Sequence, residues 1–238
     1  SYSLTILSTD SGGKTFSKTS TVLVDDGFED ATFSTDVAIS NSGDGMYVNN
    51  TGTGETSLTT TSSVQSTGGD GIYAENHTTA TDLSISAVNV TALDDAVYAY
   101  NAGSGLLSIS LTGDVVSTST DTSDDDDSYG IHAENYGTNS IISTSGNVTS
   151  NDSGIASWND ASGSLSITST GTVTAKGWHG IYADTGDWTS GSQTLSSATD
   201  INITANNVTA YSDGIRANNY GTGSTTINAT GEVTGGSG

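Results

Sequence analysis

Short runs in which apolar and polar residues alternate recur along this chain in sets of three. The first run is Gly71-Ile72-Tyr73-Ala74-Glu75-Asn76, with a close copy in Gly130-Ile131-His132-Ala133-Glu134-Asn135. Variants begin at Gly45, Ala96, Gly154, Gly180 and Gly214, so successive starts lie 26, 25, 34, 24, 26 and 34 residues apart. The second run alternates apolar and hydroxyl side chains, as in Leu83-Ser84-Ile85-Ser86, Leu107-Ser108-Ile109-Ser110 and Leu165-Ser166-Ile167-Thr168. The third is a Val-Thr step, as in Asn89-Val90-Thr91, Asn147-Val148-Thr149 and Thr172-Val173-Thr174. A period of two, β-branched residues and Gly or Asn punctuation are the marks of half-buried strands. No segment carries a helical period. Three short strands per repeat predict an all-β parallel β-helix of about seven to eight coils, each of roughly 25 residues.

Such a coil cannot bury its apolar side chains alone, but stacked coils form one continuous core. The pattern therefore points Ile72, Ala74, Leu83, Ile85, Val90 and their equivalents inward. Asn50, Asn76, Asn101, Asn135, Asn159 and Asn219 hold the same repeat position, which predicts a ladder of side-chain amides bonded from coil to coil. At about 4.8 Å per coil, seven coils extend roughly 34 Å. The two longer intervals place inserted loops near 117–128 and 186–200. Residues 1–36 depart from the repeat and hold Phe16, Phe28 and Phe33, all the phenylalanine in the chain, which suits a cap or a first irregular coil. Residues 37–238 are the repeats. The alternating Tyr2, Leu4 and Ile6 also read as a strand able to pair with a neighbour.

Composition taken alone contradicts a folded chain. Ser and Thr supply 39 and 40 of the 238 residues, and Leu, Ile, Val and Phe together only 43. That share of large apolar residues, beside a formal charge of −23, is the composition of a disordered chain. Periodicity overrides it, because the few apolar residues recur at fixed places in each coil. The charge excludes other things. Four Lys and Arg against 27 Asp and Glu cannot neutralise a run of phosphates, so nucleic acid and anionic membrane surfaces are poor partners. No stretch is long and apolar enough to insert in a bilayer, and Ser1-Tyr2-Ser3-Leu4-Thr5-Ile6-Leu7 lacks the pattern of a signal peptide. With no Cys there is neither a disulfide framework nor a thiolate metal site.

In the first run, the residues two and four after the Gly face outward. The nearer column reads Tyr47, Tyr73, Tyr98, His132, Ala156, Tyr182 and Arg216; the farther reads Asn49, Glu75, Tyr100, Glu134, Trp158, Asp184 and Asn218. The candidate binding face is thus Tyr47, Tyr73, Tyr98, Tyr100, Trp158 and Tyr182 with Glu75 and Glu134. Aromatics among carboxylates suit stacking on sugar rings or a protein contact. Stacked tyrosines also stabilise neighbouring strands, so a purely structural reading stands beside both. Asp44, Asp70 and Asp95 form another column, where like charges one coil apart invite a cation. Asp124 and Asp126 lie in the acidic run of the first inserted loop. These five are candidate Ca²⁺ ligands, although a solvated loop explains the run equally. No other cofactor is expected. Catalysis is not expected either: Arg216 is the sole Arg, Asp94, Asp95 and Asp152 are acids that any acidic repeat would juxtapose, and His77, His132 and His179 occupy unrelated coil positions.

The phrase Gly-Ile-Tyr-Ala-Glu-Asn, then a turn such as Tyr220-Gly221-Thr222-Gly223, a Ser/Thr strand and a Gly-x-Val-Thr strand, resembles the repetitive passenger region of autotransporter-type bacterial surface adhesins. The resemblance covers residues 37–238 and implies a right-handed parallel β-helix exposed at the bacterial cell surface. It implies adhesion or self-association, with a second copy or a cell-surface glycan or protein as partner. The expected function is a non-catalytic extracellular adhesin or filament-forming subunit; the alternative is a carbohydrate-binding or polysaccharide-degrading β-helix.

Overall fold

The computed structural model describes residues 2–9, 15–22, 30–119, 128–160, 162–189, 192–194 and 196–236, with side chains placed in 30–119, 128–160, 162–186 and 196–236. All regular structure among them is β-strand. The first run of every repeat joins one seven-stranded sheet, from Met46–Asn50 through Ile72–Asn76, Val97–Asn101, Ile131–Asn135, Ile155–Asn159 and Ile181–Asp184 to Ile215–Asn218. Pairing is parallel throughout, so the chain circles once between neighbouring strands. This is a parallel β-helix.

The second and third runs do not form two separate sheets. Both belong to one 14-stranded sheet, because Gly163–Ala175 and Ala198–Ala210 each run through both positions without a break. A register shift between Ser169 and Thr172 marks where the corner would lie, so those two coils turn by a bulge rather than by a loop.

Register is fixed residue for residue. Ile72, Val97, Ile131, Ile155, Ile181 and Ile215 stack in one column, as do Leu83, Leu107 and Leu165 with Ser140 and Ile201 between or beside them. A slip of one residue would turn Tyr73 and Glu75 into the core, so the apolar pattern enforces this alignment. Ile72, Ala74, Leu83, Ile85 and Val90 are fully buried, as the alternation predicts. Burying each Leu or Ile contributes about 1.5–3 kcal/mol, and the unbroken column lets small strands share that gain.

Glycine opens most first strands for a steric reason. A Cβ on Gly71 would collide with the side chain of Val90 and the carbonyl of Ala96 in the next coil. The strand entry is where the first and third faces of the helix come together.

At the N-terminal side, Tyr2–Thr9 pairs antiparallel with Thr15–Val22, so the strand holding Tyr2, Leu4 and Ile6 finds a partner within its own chain. The solenoid ladder begins inside the segment expected to be irregular: Ala31–Thr35 pairs in parallel with Thr56–Thr60, and Phe33 packs on the core. The side chains of Phe16 and Phe28 lie outside the described residues. Most of the first inserted loop, 120–127, also lies outside them, whereas the second contains an antiparallel hairpin of Asp187–Thr189 with Ser192–Thr194. No helix among the described residues is long and apolar enough to cross a membrane.

Candidate functional site

In-register stacking converts the outward columns into rails along the seven-stranded sheet. The rings of Tyr47 and Tyr73 stack with centroids 4.9 Å apart, and Tyr73 and Tyr98 at 4.8 Å, which is the strand spacing itself. The rail then changes geometry. Tyr98 meets His132 edge-on at 5.0 Å, and the next rung, Ala156, carries no ring. Ala156 keeps the outward register of His132 and Tyr182 but is buried, because Trp158 leans across from the farther column to lie 5.1 Å from His132 and 5.4 Å from Tyr182. Arg216 closes the rail over the Tyr182 ring at 5.8 Å, within cation–π range. The predicted face residues are therefore brought together, with Tyr100 offset beside Tyr136 at 5.5 Å.

The carboxylates of the farther column accept hydrogen bonds from this rail. Tyr73 donates to Glu75 at 3.0 Å, Tyr136 to Glu134 at 3.2 Å, and Tyr182 to Asp184 at 2.9 Å. Asn49 also donates to Glu75, and Asn218 to Asp184. Burial, then the neighbouring carboxylates, pushes the Tyr73 and Tyr182 hydroxyls up to about 12, so both remain donors at any ordinary pH.

The column of Asp44, Asp70 and Asp95 has a structural occupation. Asp44 Oδ1 accepts the backbone N–H of Asp70 at 3.1 Å, Asp70 Oδ1 that of Asp95 at 3.0 Å, and Asp95 Oδ1 that of Tyr129 at 2.7 Å. Each acid thus tethers the following coil. The arrangement still leaves like charges in a row: burial first, then Asp95 and Asp44, raises the Asp70 carboxyl to about 7. Among the described residues no group of three or more His, Cys, Asp or Glu side chains is placed to hold a metal ion. Asp124 and Asp126 lie outside the described residues.

One histidine balances that row. His132 Nε2 lies 3.2 Å from Glu134 Oε1, and Nδ1 lies 3.3 Å from Asp95 Oδ2 in an ion-pair contact whose alignment falls short of a hydrogen bond. Burial works against a charged ring there, but the two carboxylates outweigh it and raise His132 to about 9. Glu134 is lowered in return, chiefly by His132. Sequence spacing hid this cluster, because Asp95 and His132 are separated by the first inserted loop.

Four of the six asparagines of the repeat column, Asn76, Asn101, Asn135 and Asn159, bond amide to amide from coil to coil, and two threonines enter the column beside them. Asn76 donates to Asn101 at 3.2 Å, Asn101 to Asn135 at 2.9 Å, and Asn135 to Asn159 at 2.7 Å. Between Asn50 and Asn76 the hydroxyl of Thr56 intervenes, accepting from the first at 2.9 Å and donating to the second at 2.5 Å. Thr185 holds the ladder position in the coil that lacks Asn there, and donates to Asn219 at 3.0 Å. The second amide hydrogen closes each coil's own turn, as Asn101 does with the Gly105 carbonyl at 3.4 Å.

Where the ring column is interrupted, a cleft of about 280 Å³ opens. Ser153 and Ala156 belong to one coil and supply small side chains; Tyr129 comes from the coil before, and Trp178, His179 and Tyr182 from the coil after, with Trp158 and Arg216 alongside. Trp178 is 47% exposed, whereas His179 is buried and stacks on Tyr182. His179 Nδ1 and the Arg216 guanidinium both approach Asp213 Oδ2, at 3.3 and 3.9 Å. Burial lowers the His179 ring below its usual value, against the pull of Asp213. Tyr129, Trp178 and His179 were missed as site residues. The signal was the position just before the strand, where Asp44, Asp70 and Asp95 give way to Tyr129, Ser153 and His179.

No family model, no curated protein and no solved structure matches the chain.

Proposed function

We propose that the chain is a non-catalytic, extracellular β-solenoid of the bacterial cell surface, an adhesin or filament-forming subunit that recognises partners through its aromatic–carboxylate flank. The observation that carries this reading is the rail from Tyr47 through Tyr73, Tyr98, His132, Trp158 and Tyr182 to Arg216. The buried Asn ladder and apolar columns already align the coils, so this rail exceeds what the fold needs for register. Rings held at strand spacing are preorganised, and a preorganised aromatic surface loses little conformational freedom on binding. Tyrosine and tryptophan are also the side chains enriched at contact surfaces. The resemblance to autotransporter-type passengers supports the same location and role.

The flank reading is tested by adhesion. Beads coated with the protein are compared with beads coated with a Tyr47→Ser, Tyr73→Ser, Tyr98→Ser triple variant. The reading predicts adhesion to bacterial cells, or bead-to-bead aggregation, that the triple variant loses. Equal behaviour of the two preparations would discard it.

Self-association by end-to-end stacking is a second route. Ile227 and Val233, on the strands Thr225–Ala229 and Val233–Gly235, are 48% and 37% exposed, although their column partners Ile203 and Val208 are buried. A further coil, whether from another copy or from continuing chain, would cover them and extend both ladders.

A further inference from the structure

We infer that the cleft between Trp158 and Trp178 is a carbohydrate subsite that takes one neutral pyranose ring of a glycan. The inference rests on the flank being a recognition surface, and assigns this part of it a ligand class.

Three observations converge. The first is shape. The rail omits one ring at Ala156, and Trp158 leans into that place from the farther column, 5.1 Å from His132 and 5.4 Å from Tyr182, so that its indole forms one side of the cleft. The floor there is made of Ser153 and Ala156, and the walls of Tyr129, Trp158, Trp178 and Tyr182. A cleft of about 280 Å³ falls just below the range of about 300–1,000 Å³ that holds drug-sized ligands, so it admits a single ring and not a long segment. The second is chemistry. Indole and phenol faces suit the C–H faces of a sugar, and the rim supplies donors and acceptors for its hydroxyls. Arg216 lines the cleft and Asp213 touches both Arg216 and His179, placing a guanidinium and a carboxylate side by side at the edge of an aromatic platform. A purely aromatic ligand would leave those groups unanswered.

The third is charge. The chain carries −23 overall, and the single Arg of the cleft is already balanced by Asp213. A uronate or sulfated sugar would enter against that field, whereas a neutral ring would not. Trp178 stands half out of the surface, its indole tilted against the His179 ring at 4.8 Å, and so leaves part of its face open to a ligand.

The test uses the whole chain and neutral probes: methyl glucoside, methyl galactoside, methyl mannoside, their N-acetylamino counterparts and the matching di- and trisaccharides. Two of the three tryptophans line the cleft, so binding is followed by tryptophan fluorescence and by saturation-transfer NMR. At least one probe series should saturate, with affinity unchanged between 50 and 500 mM NaCl and weakened at least tenfold by Trp178→Ala. The Tyr47/Tyr73/Tyr98 triple variant should bind the same probe normally. Trp178→Ala removes an exposed side chain, and its circular dichroism and denaturation midpoint check that the fold is intact. Three results would overturn the inference: no response to any probe, a response that Trp178→Ala leaves unchanged, or a response only to N-acetyltryptophanamide, which would assign the cleft to an aromatic side chain of a protein partner. If the cleft fails in any of these ways while the triple variant still loses adhesion, the flank reading stands and only the sugar assignment falls.

Discussion

Replacing Asn101 by Ala should be a strongly destabilising truncation of a buried polar side chain. Asn101 is buried at the middle of the amide ladder, accepting from Asn76 at 3.2 Å and donating to Asn135 at 2.9 Å and to the Gly105 carbonyl at 3.4 Å. Each lost hydrogen bond is worth about 1 kcal/mol net, and a buried group left without its partner costs about 1–3 kcal/mol. Asn76 keeps a bond to the Asp82 carbonyl, and Asn135 Oδ1 keeps the Gly137 N–H, so the neighbours are only partly orphaned. The total comes to about 3–4 kcal/mol, a large share of a typical stability of about 5–15 kcal/mol. Asn219→Ala is the internal control. That side chain also bonds to Thr199, Ser224 and Thr185, but it is open to water on one side, so its loss should cost about 1 kcal/mol. Asn101→Thr should fall between, because Thr185 fills the same position in its own coil. Urea unfolding followed by circular dichroism and tryptophan fluorescence measures all three. If Asn101→Ala costs no more than Asn219→Ala, the ladder is an ornament of the fold and the reasoning fails.

Asp70→Asn keeps the Oδ1 acceptor for the Asp95 N–H but removes a carboxylate whose folded-state pKa is raised to about 7. Because that pKa is raised, the group's contribution to stability is complete below about pH 4 and is lost as pH rises through about 7. With solvent screening, the variant should be about 1–3 kcal/mol more stable than the native chain at pH 8 and unchanged at pH 4. A variant less stable at pH 8 would mean that a cation is held by the column. His132, raised to about 9, contributes fully below about pH 6.5 and loses its contribution as pH rises through about 9. His132→Gln strips the compensation from buried Asp95, so it should cost about 2–4 kcal/mol at pH 7 and progressively less toward pH 10 in the same urea assay. Gly71→Val forces a side chain against Val90 and the Ala96 carbonyl and should lower stability by about 2 kcal/mol or more, measured by the same midpoint shift. Ile227→Asp should abolish concentration-dependent association in sedimentation velocity; association that persists unchanged would exclude the stacking route.

The fold was legible because stacking makes every inward position count once per coil. Ile72, Val97, Ile131, Ile155 and Ile181 announce one buried column even though the chain is a third Ser and Thr. The amide ladder was legible for the same reason. What the repeat could not reveal is where it is broken. Thr56 and Thr185 join the ladder through hydroxyls, a substitution invisible to a search for Asn. The merging of second and third strands in Gly163–Ala175 and Ala198–Ala210 depends on whether a corner is a loop or a bulge, and both use the same small polar residues. Ala156 looked like one more outward residue. Only the three-dimensional register shows Trp158 crossing to cover it and Tyr129 and Trp178 lining the same cleft with Ser153. The acidic column invites a cation by its charge alone; that each Oδ1 there accepts the next coil's N–H is a role that spacing does not distinguish from ligation.

The most direct measurement of the central claim is paired. Beads bearing the native chain and beads bearing the Tyr47/Tyr73/Tyr98 triple variant are exposed to bacterial cells, while released reducing ends are assayed in the same wells. A non-catalytic recognition flank predicts retention of the native beads, loss of retention with the variant, and no reducing ends above background. Equal retention of both beads, or steady release of reducing ends by the native chain, would contradict it.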